Sequence, residues 1–276
     1  MTDMRKKCFL LLSAVVLCAA AFSLAQTQGP NSKVKLFIPF QEYSQEDNRR
    51  VLALFDGLRV ADVSDGMDVV GMADVGVMDP EVKALWRETE NFSHRIIGIA
   101  VTARYMPTNK REPKMDRQTI GRWYKEITSE AFQDVLFPGS ILVIDGGEDG
   151  DTRSIGSTNI RNWQRRGMLG VITSGGLGDT DEIIHHKVPA YYKRLGRGIR
   201  PGRNELESVN RPIMCGGVLV RPGDVVVADG DGVVVVPRER AEEVAQASRQ
   251  FLDNVGLERW KKRQQQTQQP KAQGPP

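Results

Sequence analysis

Pro138-Gly139-Ser140-Ile141-Leu142-Val143-Ile144-Asp145-Gly146-Gly147 is a turn that feeds an apolar run ending in a carboxylate and two glycines. Such a run, bounded by Pro-Gly and Gly-Gly, reads as a strand. Downstream comes a glycine-rich loop to Gly156, a helix through Arg166, a strand Gly170 to Thr173, a loop Ser174 to Gly178 and a short helix from Asp179. Strand, helix, strand, helix is the order of an α/β domain with crossover connections. A β-rich segment follows: Ile213 to Val220, Val225 to Ala228 and Val233 to Val236, with Asp229-Gly230-Asp231-Gly232 as a turn between the last two. Pro237 then opens a charged amphipathic helix carrying Ala241, Val244 and Phe251.

Working back from Pro138, Trp123, Tyr124, Ile127 and Phe132 have helical spacing, and Pro107 to Lys114 is a charged, proline-punctuated excursion. Ile96 to Tyr105 reads as a strand. Ser44 with Asp47 forms a cap for a helix carrying Val51, Leu52, Leu54 and Phe55, and Ser64 is the expected start of a second helix near Asp65-Gly66-Met67. Gln26 to Lys33, with Gly29-Pro30, reads as a linker. The expected organisation is a leader over 1–25, an N-terminal extension over 26–43, one domain over 44–260 and a tail over 261–276. That Gln-, Pro- and Lys-rich tail has too little apolar surface to build a core.

The chain has 276 residues, 40% of them hydrophobic and 26% charged, enough for a substantial core without covalent staples. Arg5-Lys6-Lys7, the apolar run Phe9 to Ala21 and the small residues of Ser23-Leu24-Ala25 have the layout of a secretory signal peptide. An uncleaved anchor is the alternative, but the run is short for a span of about 20 residues, so no stable membrane span is expected after processing. The formal charge of +3 would fall to about +1 without the leader, which gives no nucleic-acid footprint. Cys8 and Cys18 would leave with the leader, and Cys215 by itself can form no internal disulfide.

Read in order, Pro138 to Gly147, Arg166-Gly167-Met168-Leu169-Gly170-Val171-Ile172, Gly175 to Ile183, Gly216 to Asp224 and Val225 to Pro237 resemble the RraA-like family over roughly Leu52 to Ala247. Each phrase is weak by itself, and their spacing makes the match. The resemblance implies an α/β fold of the swivelling β/β/α type, assembled as a homotrimer or homohexamer with sites near subunit boundaries. It also implies divalent-metal-assisted cleavage of a carbon–carbon bond in a small 2-oxo acid, with release of pyruvate, or decarboxylation of oxaloacetate. Both routes pass through a pyruvate enolate, whose negative charge needs a metal or a fixed donor beside it. Magnesium or manganese suits carboxylate ligation better than zinc.

The aldolases of that family carry an Asp, twenty intervening residues, then Arg-Asp. Here the first Asp position is Ser157, the Arg position is Gly178, and only Asp179 remains, as candidate metal ligand and catalytic residue. Losing one preorganised oxyanion donor costs about 2.7–4 kcal/mol. Arg153 and Arg161 are the nearby candidates to replace the missing guanidinium. Gly156, Ser157, Thr158 and Asn159 begin the predicted helix, where free N–H groups favour a substrate carboxylate. The plainer reading makes Ser157 the N-cap.

Asp145 to Asp151 is either a source of a second metal ligand or a solvated acidic loop. An apolar strand ending in Asp-Gly-Gly also resembles a methyltransferase nucleotide loop, a weak signal. His185 and His186 read as an exposed pair, His94 shows no partner, Cys215 lacks a catalytic set, Asp229 and Asp231 are first of all turn formers, and Trp163 is core. The leading expectation is an exported metal-dependent lyase for an oxo- or hydroxy-carboxylate, weakened by Ser157 and Gly178. Its rival is a non-catalytic binding or scaffold protein that kept the fold. Some relatives regulate the endoribonuclease RNase E, a role that export would preclude. Mass spectrometry of the native protein is expected to find a mature N-terminus near Gln26, whereas an intact Met1 on cytoplasmic protein would remove the export reading.

Overall fold

The computed structural model describes residues 36–147 and 149–251. The expected leader over 1–25, most of the N-terminal extension and the tail over 261–276 lie outside those residues. No helix among the described residues is long and apolar enough to cross a membrane.

Four parallel strands form the centre: β2 (Ile96–Pro107), β3 (Ser140–Asp145), β4 (Gly170–Leu177) and β5 (Ala190–Leu195). They are flanked by antiparallel β1 (Lys83–Ala84) on β5, and by β9 (Val225–Asp229) and β10 (Gly232–Val236) beyond β2. β6 (Asn204–Val209) pairs with the far half of β2, and β7 (Ile213–Cys215) with β8 (Val218–Val220) makes a separate hairpin.

The apolar runs do not alternate because both faces of the sheet are covered. Ile141 and Val143 of β3 pack towards the hairpin side with Ile213, Cys215, Val218 and Val220. Leu142 and Ile144 pack the other way, against Ile160 and Trp163 of α4 (Ser157–Gln164) and Ile183 of α5 (Thr180–His185). A third cluster joins Val225, Val227, Val234 and Val236 to α1 (Gln45–Phe55), α2 (Val60–Val69) and α6 (Ala241–Phe251). This is the expected α/β class, and the core strands, the turn at Asp229–Asp231 and the C-terminal helix fall where the sequence places them.

Several boundaries differ for identifiable reasons. Ser44 caps α1 as expected, its hydroxyl accepting from Asp47 N at 3.0 Å. The second helix starts at Val60 and not at Ser64, because two distant-looking carboxylates hold its first turn. Asp62 accepts from Arg59 N, and Asp229 accepts from Val60 N at 3.0 Å. The single helix expected around Trp123 is broken into α3 (Arg117–Arg122), a π turn over Trp123–Ile127 and a 3-10 turn over Ala131–Val135. Ile213 to Val220 is not one strand, since Gly216 and Gly217, both at positive φ, turn the chain back on itself. β4 runs on through the expected loop Ser174–Leu177 after an irregularity between Thr173 and Gly176.

Asp229 is thus both a turn former and a helix cap, its other oxygen accepting from Asp231 N at 2.8 Å. Asp229→Ala is expected to lower stability by about 1–2 kcal/mol in urea unfolding. Asp231, with a side chain 72% exposed, is expected to cost less than about 0.5 kcal/mol on the same change.

Candidate functional site

The three positions of the degenerate motif meet between the carboxyl end of β4 and the start of α4. Asp179 follows β4 in a left-handed conformation, φ 51° and ψ 41°, which Asp tolerates better than most residues. Its carboxylate makes no bond to its own helix α5. It reaches back to α4, where Oδ2 accepts from Ser157 N at 3.1 Å. A Cβ at Gly156 would lie 2.7 Å from that oxygen, so a side chain there would push the Asp179 carboxylate aside.

This changes the reading of Gly156, Ser157, Thr158 and Asn159. The N-cap of α4 is Gly156, and Ser157 is the first helical residue. The anion at this helix start is the protein's own Asp179, so the Ser157 amide is already engaged. Thr158 is exposed. Asn159 points its amide to Glu130, a carboxylate that also accepts from Trp163 Nε1 at 2.9 Å and from the buried Arg200 at 2.6 Å. Trp163 is core as expected, edge to face with Phe132.

The other oxygen of Asp179 accepts from Arg153 Nη1 at 2.6 Å. Backbone pairing puts Arg153 there. Ser154 N donates to Gly176 O at 2.9 Å, Gly178 N donates to Ile155 O at 3.0 Å, and Arg153 N donates to Gly198 O at 2.7 Å. The loop before α4 therefore lies along the end of β4 as an improvised strand. Gly178 is what admits the arginine, because a Cβ there would sit 2.2 Å from Arg153 Cδ and 2.7 Å from Cγ. Gly178 is not among the positive-φ glycines, so the obstacle to a side chain at this position is crowding and not the backbone angle: besides the Arg153 stem, the Gly196 carbonyl oxygen would lie 2.8 Å from the Cβ. Of the two candidate replacements, Arg161 goes elsewhere, 3.3 Å from His186 Nε2.

Among its described residues the acidic loop is solvated at Gly150 and Asp151, and its three described aspartates are each paired with an arginine. Asp145 pairs with Arg104 at 3.2 Å and Asp151 with Arg197 at 2.9 Å. Asp149 has a fully buried side chain paired with Arg194 and held by Asn204 Nδ2 at 2.7 Å. Burial pushes the Asp145 carboxyl above the usual carboxylate range. Asp145 also lines a cavity of about 510 Å³ with Ser174, Lys193, Arg194 and Met214.

The lesser candidates resolve simply. His185 and His186 are exposed with ring centroids 5.1 Å apart. His94 does have a partner: it is buried and accepts from Glu88 N at 3.2 Å. Cys215 is buried, and burial pushes its thiol up to about 12, so it is inert.

No group of three or more His, Cys, Asp or Glu able to hold a metal occurs among the described residues. Asp179, the one expected ligand, has one oxygen on a guanidinium and the other on an amide. In this arrangement the residues do not fit a resident divalent ion. Arg153 and Arg161 are both candidates by sequence for the guanidinium absent at Gly178; what the sequence could not reveal is which of them reaches Asp179, because Arg153 and Gly178 meet only through the pairing of their loop with the end of β4.

The pairing predicts strong coupling. Arg153→Gly and Gly178→Arg should each destabilise the chain, one by stranding Asp179 and the other by collision. Combined, they should be less harmful than their sum by about 1 kcal/mol in a double-mutant cycle. Simple additivity would show that the two positions do not share one space.

A family model described as RraA-like, Aldolase/RraA, matches residues 60–235, well over half of the chain. Protein DlpA of Legionella pneumophila is 26% identical over 186 residues, which is 67% of this chain and 27% of that protein. A 4-hydroxy-4-methyl-2-oxoglutarate aldolase of Thermus thermophilus is 31% identical over 103 residues, 36% of this chain and 60% of that enzyme. The matches thus span between about a quarter and three fifths of these curated relatives. Streptomyces coelicolor RraAS2, described as an unusual member of the RNase ES inhibitor RraA family, superposes with a TM-score of 0.63 at 22% identity, over 77% of this chain and 98% of that one, a likeness of fold. With the order of its phrases, its α/β sheet and the family match in agreement, the chain belongs to the RraA-like family.

Proposed function

We propose that this protein is a carbon–carbon lyase for a small 2-oxo acid, acting at the end of β4 around Arg153 and Asp179. One observation carries the reading: the guanidinium missing from position 178 is supplied from position 153 and rests on Asp179. The Asp179 bond uses one of the five N–H groups of Arg153, and the side chain is 34% exposed, so a fork of donors remains for a carboxylate or an enolate oxygen.

Two reactions belong to this class, and the residues favour one. Aldol cleavage needs a base to take the proton from the substrate hydroxyl as the bond breaks. Ser157 is a hydroxyl where the family motif has a carboxylate, and Asp179 is bound on both oxygens. Decarboxylation of a 2-oxo acid with a carboxylate at C3 needs no such base. The substrate expected is therefore a 2-oxo dicarboxylate of oxaloacetate type. Export and assembly as a homotrimer or homohexamer belong to the same proposal, supported by the leader-like N-terminus and by family membership.

The test is pyruvate release from oxaloacetate and from a 4-hydroxy-2-oxo acid, corrected for spontaneous breakdown. Decarboxylation should exceed aldol cleavage, and Arg153→Gln should lower it by roughly a hundredfold to a thousandfold, the cost of one oxyanion donor. Pyruvate from neither substrate would favour the rival reading, a binding protein that kept the fold.

A further inference from the structure

The missing fit for a divalent ion and the presence of Arg153 at Asp179 have one common explanation. We infer that Arg153 has taken the place of the metal: its permanent positive charge, held on Asp179 in the space left by Gly178, is the cation of this site.

Three observations support the replacement. Asp179 Oδ1 lies 2.6 Å from a guanidinium nitrogen, a short charge-assisted bond, while Oδ2 is taken by the Ser157 amide. A hydrated divalent ion would have to bind beside a guanidinium already in contact with the same carboxylate, like charge against like, and Arg153 is covalently tethered at the site whereas the ion must arrive from solution. The tether is firm, because the backbone on both sides of Arg153 is bonded to the strand end through Gly198 O and Gly176 O. Close packing of the Arg153 stem over Gly178 completes the fit, since no other residue type leaves that space open.

A guanidinium suits the step better than it suits a metal's other duties. In decarboxylation the bond between C3 and the carboxylate breaks and CO2 leaves. The bonding pair moves into the C2–C3 bond, and the C2 carbonyl pair moves onto oxygen as an enolate. A water proton then adds at C3. The only demand on the protein is a fixed positive charge beside the C2 oxygen, which Arg153 supplies through N–H donors without losing a hydration shell. A guanidinium cannot activate water as a metal does, which is consistent with a reaction that needs no nucleophile. This catalytic half rests on the lyase reading, and the charge replacement does not.

The experiment uses the full chain after EDTA treatment, with Mn2+ binding followed by electron paramagnetic resonance. Circular dichroism checks the fold of Arg153→Gln and of Arg153→Gln with Asp179→Asn. Wild type should bind no Mn2+ through Asp179 at millimolar concentration. Arg153→Gln should gain at least tenfold in Mn2+ affinity, and adding Asp179→Asn should remove the gain. Wild-type Mn2+ binding that Asp179→Asn abolishes, or a folded Arg153→Gln that gains nothing, would overturn the inference. Oxalate, a planar mimic of the enolate, gives the second readout. It should bind metal-free wild type, bind Arg153→Gln at least tenfold more weakly, and recover when Mn2+ is added to that variant. If Mn2+ behaves as described and oxalate never binds, the replacement stands and the lyase reading fails.

Discussion

The carboxylate of Asp179 ties together elements that backbone pairing has brought side by side. It leaves the end of β4 in a left-handed conformation, reaches the first amide of α4 and holds the guanidinium of the loop that precedes that helix. Left-handed backbone is costly for a residue with a side chain, and two hydrogen bonds, one of them to a charged partner, offset that cost. Remove the carboxylate and the arginine has no anchor and the Ser157 amide at the helix start has no partner. The chemistry proposed for the site depends on this one geometry.

Around it the protein repeats a single device at different depths. Three described carboxylates at and after the end of β3 are each matched to an arginine from another segment: Asp145 to Arg104, Asp149 to Arg194, Asp151 to Arg197. Only the Asp149 pair has its acid wholly buried, and there Asn204 and Ser154 share the remaining hydrogen-bonding capacity. A buried acid is tolerable only when its oxygens are satisfied in this way. The exposed pair at Asp151 contributes little energy but sets the path of the chain. A glycine-rich acidic stretch that composition alone would leave in water is thereby fixed beside the strand ends.

How much of this was legible in the sequence depends on whether the cause was local. β3 is legible because an apolar run between Pro138-Gly139 and Gly146-Gly147 has few other readings. The cap of α1 is legible because Ser44 and Asp47 are three residues apart. The start of α2 is not, since one of its caps, Asp229, comes from the far end of the chain. β5 and β6 carry charged residues such as Lys193 and Glu205 that hide their strand character until their neighbours are known. At the site, the loss at Ser157 and Gly178 can be counted along the chain. That Arg153 and not Arg161 lies over the glycine needs the third dimension, because it follows from the backbone pairing of Arg153, Ser154 and Ile155 with Gly198, Gly176 and Gly178.

The close packing of Arg153 on Gly178 also bears on how such a site can arise. Arginine at 178 in an ancestor would have required the Arg153 stem and the Gly196 carbonyl to give way from this loop path. A chain with neither would leave Asp179 without a counter-ion. The two positions are therefore epistatic, and any route between the two arrangements crosses a poor intermediate unless the loop shifts as well. Comparison of homologues one column at a time would score Gly178 as a dead site and Arg153 as a neutral surface residue. The same columns taken as a pair would separate relatives that have abandoned the chemistry from those that have only moved its charge.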